Sequence, residues 1–288
     1  MNKRPLATLA LTAATLFAGL PALAQAQKPP AAGTTAEKLG EWPTLKDTDK
    51  DRVLAFTGQF RKADPQLHAE AKKQLIALGD AAAPLLMQQV SDRAENTNAP
   101  IFAVLDEVLG ARHAALMARE TKKPRIELRR YLTRRLCRLG DADLAPVLDS
   151  LQKDKDESTA FYAQLGLLAL KRRESLPAVL AYTKTRWNDV GPLVAEVLTP
   201  ARSPELGDAV FEAIAKAQPV DQMAGLRLLR YVMVKEQGVV LRGYLEASDH
   251  TVKREAVNTA RVLHGEAPVD NLSVFQAIEQ AKQWLQKI

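Results

Sequence analysis

The sequence predicts an all-α fold, an α-solenoid of about seven helix-turn-helix repeats. Three observations carry this prediction. The first is composition: the 288 residues are 47% hydrophobic and 26% charged but only 5% aromatic, which suits closely packed helices better than sheets. The second and third are a leucine-glycine pair and a proline, which each recur along the chain with a period of about 31 residues.

The leucine-glycine pair marks the predicted end of the first helix in each repeat. The pairs are Leu78-Gly79, Leu109-Gly110 and Leu139-Gly140, and Leu170 and Leu263 continue the spacing. A leucine can pack the end of a helix, and a glycine can adopt the left-handed conformation that closes it. We therefore expect a helix to end at each of these positions.

A proline marks the predicted start of the second helix. Pro84, Pro146 and Pro177 follow the helix ends and share their period. Proline suits the first turn of a helix, because the amide proton that it lacks would have no partner there. Two independent markers with one period indicate repeated helix pairs, and such pairs must stack because one pair cannot bury both of its faces.

The chain begins with features of a secretory signal peptide, which we place at residues 1–26. Lys3 and Arg4 precede an apolar run that is too short to span a bilayer, and small residues follow it. We expect cleavage after Ala24 or Ala26, a periplasmic or secreted protein, and no transmembrane anchor once the peptide is removed.

The remaining elements follow in order. Residues 27–46 lack an apolar period and predict a flexible leader. Residues 47–63 predict an N-terminal capping helix, and Asp64-Pro65 opens the first repeat. Residues 47–288 form the predicted solenoid, with degenerate copies at about 188–249 and a C-terminal repeat and cap at 250–288.

The period and the helix-end residues together resemble the HEAT-repeat superfamily, and more closely the short HEAT-like repeats first described in phycobilisome lyases. The resemblance implies a curved scaffold that binds other macromolecules. It also implies that first helices line the outer face and second helices the inner groove. It implies no activity, since function depends on sites and not on the fold.

One helix concentrates the basic charge. Nine Lys or Arg residues and two glutamates lie between Arg119 and Arg138, a local net charge of +7 against +6 for the whole chain. The candidate residues for contact with an anion or a partner are Lys122, Lys123, Arg125, Arg129, Arg130, Arg134 and Arg138. They could bind an anionic polymer, lipid headgroups or an acidic protein, or they could pair with the acids that follow, such as Asp141, Asp143, Asp154 and Asp156.

The same helix carries leucines on one face and Ile126, Thr133 and Cys137 on another. A helix that lies between two neighbouring repeats needs apolar residues on both faces. We therefore interpret Cys137, the only cysteine of the chain, as a packing residue. Trp187 is expected to pack at the end of a second helix, although it could reach the groove.

Other motifs predict no catalytic, metal or cofactor site. Asp47, Asp49 and Asp51 begin like a calcium loop, but Arg52 and Gly58 occupy its glycine and glutamate positions. The four histidines lack zinc spacing, and we expect His113 and His264 to meet helix-terminal carbonyls. No nucleophile elbow or phosphate-binding loop occurs.

The leading hypothesis for function is an exported, non-enzymatic scaffold that mediates protein–protein interaction. Its partner would be a protein or peptide. The alternatives are an anion-binding module that contacts envelope polymers or lipid headgroups through the basic helix, and an enzyme whose cleft is not visible in the sequence. Nucleic acid is an unlikely partner for an exported protein.

Overall fold

The computed structural model describes residues 38–288, where the chain is entirely helical apart from its connections. The predicted all-α class is confirmed for this part of the chain. The predicted signal peptide and residues 27–37 of the predicted leader lie outside the described residues. Within residues 38–288, no helix is long and apolar enough to cross a membrane.

Fourteen α-helices occur in the described part of the chain. They are α1 Asp47–Gln59, α2 Pro65–Ala77, α3 Ala83–Gln89, α4 Glu95–Val108, α5 Ala114–Glu120, α6 Ile126–Leu136, α7 Ala145–Leu151, α8 Glu157–Ala169, α9 Leu176–Leu198, α10 Pro204–Ile214, α11 Pro219–Val232, α12 Arg242–Leu245, α13 His250–Leu263 and α14 Val274–Lys287. Helix α9 is kinked at Arg186, whose φ of −118° and ψ of 19° are not helical. Short 3-10 segments join several of the helices.

Local signals explain most helix ends. Asp64 caps α2 by accepting a hydrogen bond from the Gln66 amide at 2.9 Å, and Pro65 occupies the first turn. Gly79 and Gly140 have φ values of 69° and 59°, which are the left-handed caps that the sequence predicted. The prediction is wrong for Gly110, whose φ of −135° is extended because its amide instead donates to a histidine side chain.

Most helices pack against the next helix, or the next but one, along the chain. Helices α6 and α7 contact α8, α8 contacts α9, α9 and α10 contact α11, and α11 contacts α13. The buried hydrophobic residues form two clusters, one extending from Val53 to Leu167 and the other from Cys137 to Trp284. Helix α8 contributes to both clusters, so the core is continuous through α8.

Cys137 lies at the C-terminal end of α6 and is buried, as its packing interpretation requires. Its Sγ donates a hydrogen bond to the carbonyl of Arg134 at 3.1 Å, and burial raises its pKa to about 12. Thr133 is also buried, but Ile126 is 41% exposed. The expected apolar strip is therefore wrong at Ile126, which starts α6 and precedes the part of the helix that its neighbours cover.

Candidate functional site

The predicted basic residues lie in and just before α6, and most of them are engaged within the chain. Arg129 donates to Asp154 through Nε at 2.6 Å and Nη2 at 3.2 Å. Arg130 donates to Asp156 through Nε at 3.1 Å and Nη2 at 2.7 Å, and to Glu127 at 2.7 Å. These arginines therefore fasten α6 to the turn that precedes α8.

Three more of the predicted residues have partners. Arg125 donates to the carbonyls of Met87 and Gln88, Arg138 donates to Glu196, and Lys123 pairs with Glu120. The other two, Lys122 and Arg134, are exposed and have no ion pair or side-chain hydrogen bond among residues 38–288. Five of the seven predicted residues thus stabilise the fold, and two keep a free charge at the surface.

Asp156 is the acceptor with the most partners in this network. It caps α8 by accepting hydrogen bonds from the amide and the hydroxyl of Thr159, at 2.9 and 2.7 Å, while it pairs with Arg130. Burial alone would raise its pKa, but the hydrogen bonds from Arg130 and Thr159 outweigh burial and lower the pKa to about 2. The carboxylate is therefore ionised across the physiological range.

Asp156→Asn is expected to lower the free energy of unfolding by about 2 kcal/mol at neutral pH, because a helix cap and a charge-assisted pair are weakened. The folded pKa lies below its ordinary value of 3.8. The difference in unfolding free energy between the wild type and the variant should therefore be largest above about pH 4. It should shrink as the pH falls towards about 2, because the wild-type carboxylate then becomes protonated and, like asparagine, carries no charge. Urea unfolding at several pH values measures this, with the exposed Asp149→Asn as the control. A pH-independent difference would contradict the assignment.

Residues 38–42, which we call the strap, lie against α5 and the turns that precede α5 and α7. Lys38 Nζ contacts Asp141 at 2.8 Å and Asp143 at 2.6 Å. The Leu39 amide donates to the carbonyl of Arg112 at 3.0 Å. These residues fall in the stretch that we expected to be flexible, and the structure instead gives them defined contacts with the helices.

Two further contacts complete the strap. The side chain of Arg119 donates to the carbonyl of Gly40. The ring of Trp42 stacks on His113, with ring centroids 5.8 Å apart and planes at 16°. The strap is thus held by its backbone, by one lysine and by one aromatic ring.

His113 is a fixed platform for that ring. It is 1% exposed, its Nδ1 accepts the Gly110 amide at 2.9 Å, and its Nε2 lies 2.9 Å from Asp80 Oδ2. Because Nδ1 is the acceptor, the proton sits on Nε2 and is donated to Asp80. The expected contact of His113 with terminal carbonyls is therefore wrong, since a carboxylate is within reach and a free amide needed an acceptor.

A groove of about 290 Å³ lies beside the strap, between α5 and α7. Its walls are mostly apolar and include Ala115, Ala118, Leu144 and Val147. Lys122, one of the two free residues of the predicted set, also lines this groove. The groove therefore combines an apolar floor with charged residues at its edges.

A second groove of about 540 Å³ lies between α10 and α12. Phe211 and Val240 line it, together with Tyr244, whose ring is buried. The Tyr244 hydroxyl has no hydrogen-bond partner within residues 38–288, and burial raises its pKa. Each groove thus lies between two shorter helices that are separated along the chain by a longer one, α6 for the first groove and α11 for the second.

A third, polar cavity of about 520 Å³ lies among α9, α11, α13 and the loop that precedes α14. Its floor is an ionic cluster of Arg227, Arg230 and Glu255. Arg227 donates to Glu255 Oε1 through Nε at 3.1 Å and Nη2 at 3.0 Å, and Arg230 donates to Oε2. Both guanidinium groups lie over the ring of Trp187, at 5.4 and 5.9 Å from its centroid.

Sequence reasoning missed this cluster, because its members come from helices about one repeat apart. Trp187 was expected to end a second helix, but it follows the kink of α9 and lines the cavity. A usable signal exists in the spacing: the pairs Arg129–Asp154, Arg130–Asp156 and Arg230–Glu255 are separated by 25, 26 and 25 residues. In these three pairs the offset matches side chains that meet between successive helices, whereas Arg227 and Glu255 are 28 residues apart.

Across residues 38–288, no group of three or more His, Cys, Asp or Glu side chains is placed to hold a metal ion. Asp47 and Asp49, the start of the calcium-like motif, lie in the first turn of α1 and pair with Lys50 and Arg52. In comparisons with known proteins, no family model, no curated protein and no solved structure matches this chain.

Proposed function

We propose that this chain is an exported, HEAT-like repeat protein that binds a non-helical segment of a partner protein along one face of its helical array. The role is binding and not catalysis. The one carboxylate buried in the polar cavity, Glu255, is neutralised by two arginines and is unsuited to act as a base. Five of the seven basic candidates are engaged within the fold, which favours a protein partner over an anion at α6.

The helix starts support the repeat part of the proposal. One set begins at Pro65, Glu95, Ile126, Glu157, just after the kink at Arg186, Pro219 and His250, about 31 residues apart. We call these the first helices, namely α2, α4, α6, α8, the second half of α9, α11 and α13. The second helices then are α3, α5, α7, the first half of α9, α10, α12 and α14. This grouping gives seven pairs, which is the number of repeats that we propose.

The strap is the single observation that carries the binding part. It is a non-helical segment, bent at residues 40–41, that contacts α5 and the turns before the second helices α5 and α7, and it uses contacts that a partner peptide could make. The Leu39 amide and the Gly40 carbonyl form hydrogen bonds that do not depend on the side chains at those two positions. Lys38 pairs with two carboxylates. Both apolar grooves also lie between successive second helices.

The strap therefore defines the chemistry of a competing partner. Such a segment would be non-helical, would carry a lysine or arginine for Asp141 and Asp143, and would carry an aromatic ring four residues later for His113. A tethered strap has an effective concentration of about millimolar order, so it would weaken binding of any partner that uses the same surface. Loosening the strap should expose the surface.

Fluorescence anisotropy with a labelled peptide of sequence 36–46 tests the proposal. We expect Trp42→Ala to bind this peptide about tenfold more tightly than the wild type, because losing one ring stack weakens the strap by about 1 kcal/mol or more. Charge reversal by Asp141→Lys together with Asp143→Lys, added to Trp42→Ala, should abolish the binding.

The control peptide has glutamate in place of Lys38 and alanine in place of Trp42, and it should not bind. Circular dichroism establishes that each variant remains folded. Equal binding of both peptides, or no binding by the Trp42→Ala protein, would overturn the proposal.

A further inference from the structure

The polar cavity is lined by residues of first helices, and no residue of the strap is among them. Three first helices, the second half of α9, α11 and α13, form its walls. The connection between α13 and α14 closes one side with Pro268, Asp270 and Asn271. Its volume of about 520 Å³ falls in the range of about 300–1,000 Å³ typical of small-molecule sites.

The floor of the cavity contains a buried donor without an acceptor. Arg230 is 4% exposed, and its Nη2 bonds Glu255, but its Nε has no hydrogen-bond partner within the described residues. Burial lowers the pKa of Arg230 to about 10, so the guanidinium remains charged at neutral pH.

The wall carries a cation that has no ion pair among residues 38–288. Arg254 lies on α13 next to Glu255 and lines the cavity, and it makes no ion pair or side-chain hydrogen bond among residues 38–288. Both oxygens of Glu255 are already occupied by Arg227 and Arg230. With Asp270 at the rim, three arginines face two carboxylates, and the cavity keeps a net charge of +1.

The remaining wall is held in place. The Asn258 side chain donates to the carbonyl of Val269 at 3.0 Å and accepts the Val269 amide at 2.8 Å. This pair of bonds fixes the connection between α13 and α14 against the floor. A site whose walls are fixed loses little conformational entropy when a ligand binds.

We propose that this cavity binds a small molecule that carries an oxyanion, either a carboxylate or a phosphate group. Arg254 donates to the oxyanion, and the charged guanidinium groups of Arg227 and Arg230 in the cavity floor add positive charge beside it. A guanidinium presents N–H donors in a planar fork that matches both groups. The amide side chains of Asn188 and Asn271 line the cavity and supply further donors for the rest of the molecule.

Isothermal titration of the full chain with inorganic phosphate, citrate and glucose tests this site. Saturable binding of phosphate or citrate, but not of glucose, is expected, and the stronger of the two anions identifies the group. Arg254→Gln should weaken that binding at least about tenfold, the loss of one charge-assisted contact. Added salt should weaken it as well.

Arg134→Gln is the matched control, since Arg134 is likewise a free arginine on a first helix, and it should leave anion binding unchanged. Asn271→Ala, at the rim, gives a second variant that should weaken binding without touching the ionic floor. The peptide anisotropy of the Arg254→Gln protein should equal that of the wild type, which separates this site from the strap surface. The proposal is overturned if neither anion saturates, or if Arg134→Gln weakens binding as much as Arg254→Gln.

Discussion

Replacing Glu255 with alanine is expected to lower the free energy of unfolding by about 3–5 kcal/mol, which is the cost of leaving a buried charge without its partner. Glu255 is 6% exposed and is the acceptor for both Arg227 and Arg230. Without it, two guanidinium groups remain close together on Trp187 with no carboxylate to balance them. Urea unfolding followed by circular dichroism measures the loss.

A second variant distinguishes unpaired charge from lost packing. Replacing Arg227, Arg230 and Glu255 together with methionine or leucine removes the charges and keeps apolar volume. This variant should recover most of the stability, because buried ion clusters are often no more stable than well-packed apolar residues. Glu279→Ala is the control at an exposed ion pair and should change stability by less than about 0.5 kcal/mol. A Glu255→Ala protein as stable as this control would refute the assignment.

Phe161→Ala is expected to cost about 3–5 kcal/mol, the range for removing a fully buried aromatic ring. Phe161 lies on α8, the helix through which the two core clusters meet. It is 1% exposed, and its ring stacks on Tyr182 with centroids 4.1 Å apart. The cavity left behind would lie between α8 and α9, and these packed helices have little room to move together and fill it.

Phe275→Ala provides the matched control, because the same side chain is removed where it is 73% exposed on α14. It should change stability by less than about 0.5 kcal/mol. The two variants are compared by the denaturant concentration at the midpoint of unfolding, provided that the slope of the unfolding free energy against denaturant concentration is unchanged. If the two variants lost equal stability, α8 would not hold the position in the core that its burial indicates.

Local chemistry made the helices predictable. A capping aspartate, a proline in the first turn and a left-handed glycine each act within a few residues, so Asp64, Pro146 and Gly140 could be placed from the sequence alone. Lys171 shows the limit, because it takes the left-handed conformation with a φ of 66° where a glycine would be expected. Backbone hydrogen bonds from the amides of Lys171 and Arg172 to the last turn of α8, at 2.9 and 3.0 Å, accompany this conformation.

Contacts between neighbouring helices were only partly predictable. Pairing of the basic helix with the acids that follow it was one of two interpretations, and Asp154 and Asp156 do pair with it. Asp141 and Asp143 instead hold Lys38, which belongs to a stretch without any periodic pattern. Which acid meets which base depends on the rotation between successive helices, and that rotation is set by the packing of many side chains.

The charge spacing points to the Arg230–Glu255 pair, but the cavity around that pair could not have been found from the sequence. Arg227 and Arg230 are embedded among the leucines of α11, where an amphipathic pattern would place them at the edge of the apolar face. Only the neighbouring α13 supplies Glu255, and only the kink of α9 brings Trp187 over them. Such sites need three elements at once, and no local signal contains that information.

The central claim is that a partner segment binds along the second helices. Photo-crosslinking tests it most directly, with the labelled peptide of sequence 36–46 bound to the Trp42→Ala protein. A benzophenone side chain is placed at Val147 on α7, which lines the groove beside the strap, or at Arg134 on α6, which is exposed on a first helix. We predict a peptide adduct from position 147 and none from position 134. An adduct from position 134 as strong as that from position 147, or no adduct from position 147, would contradict the account.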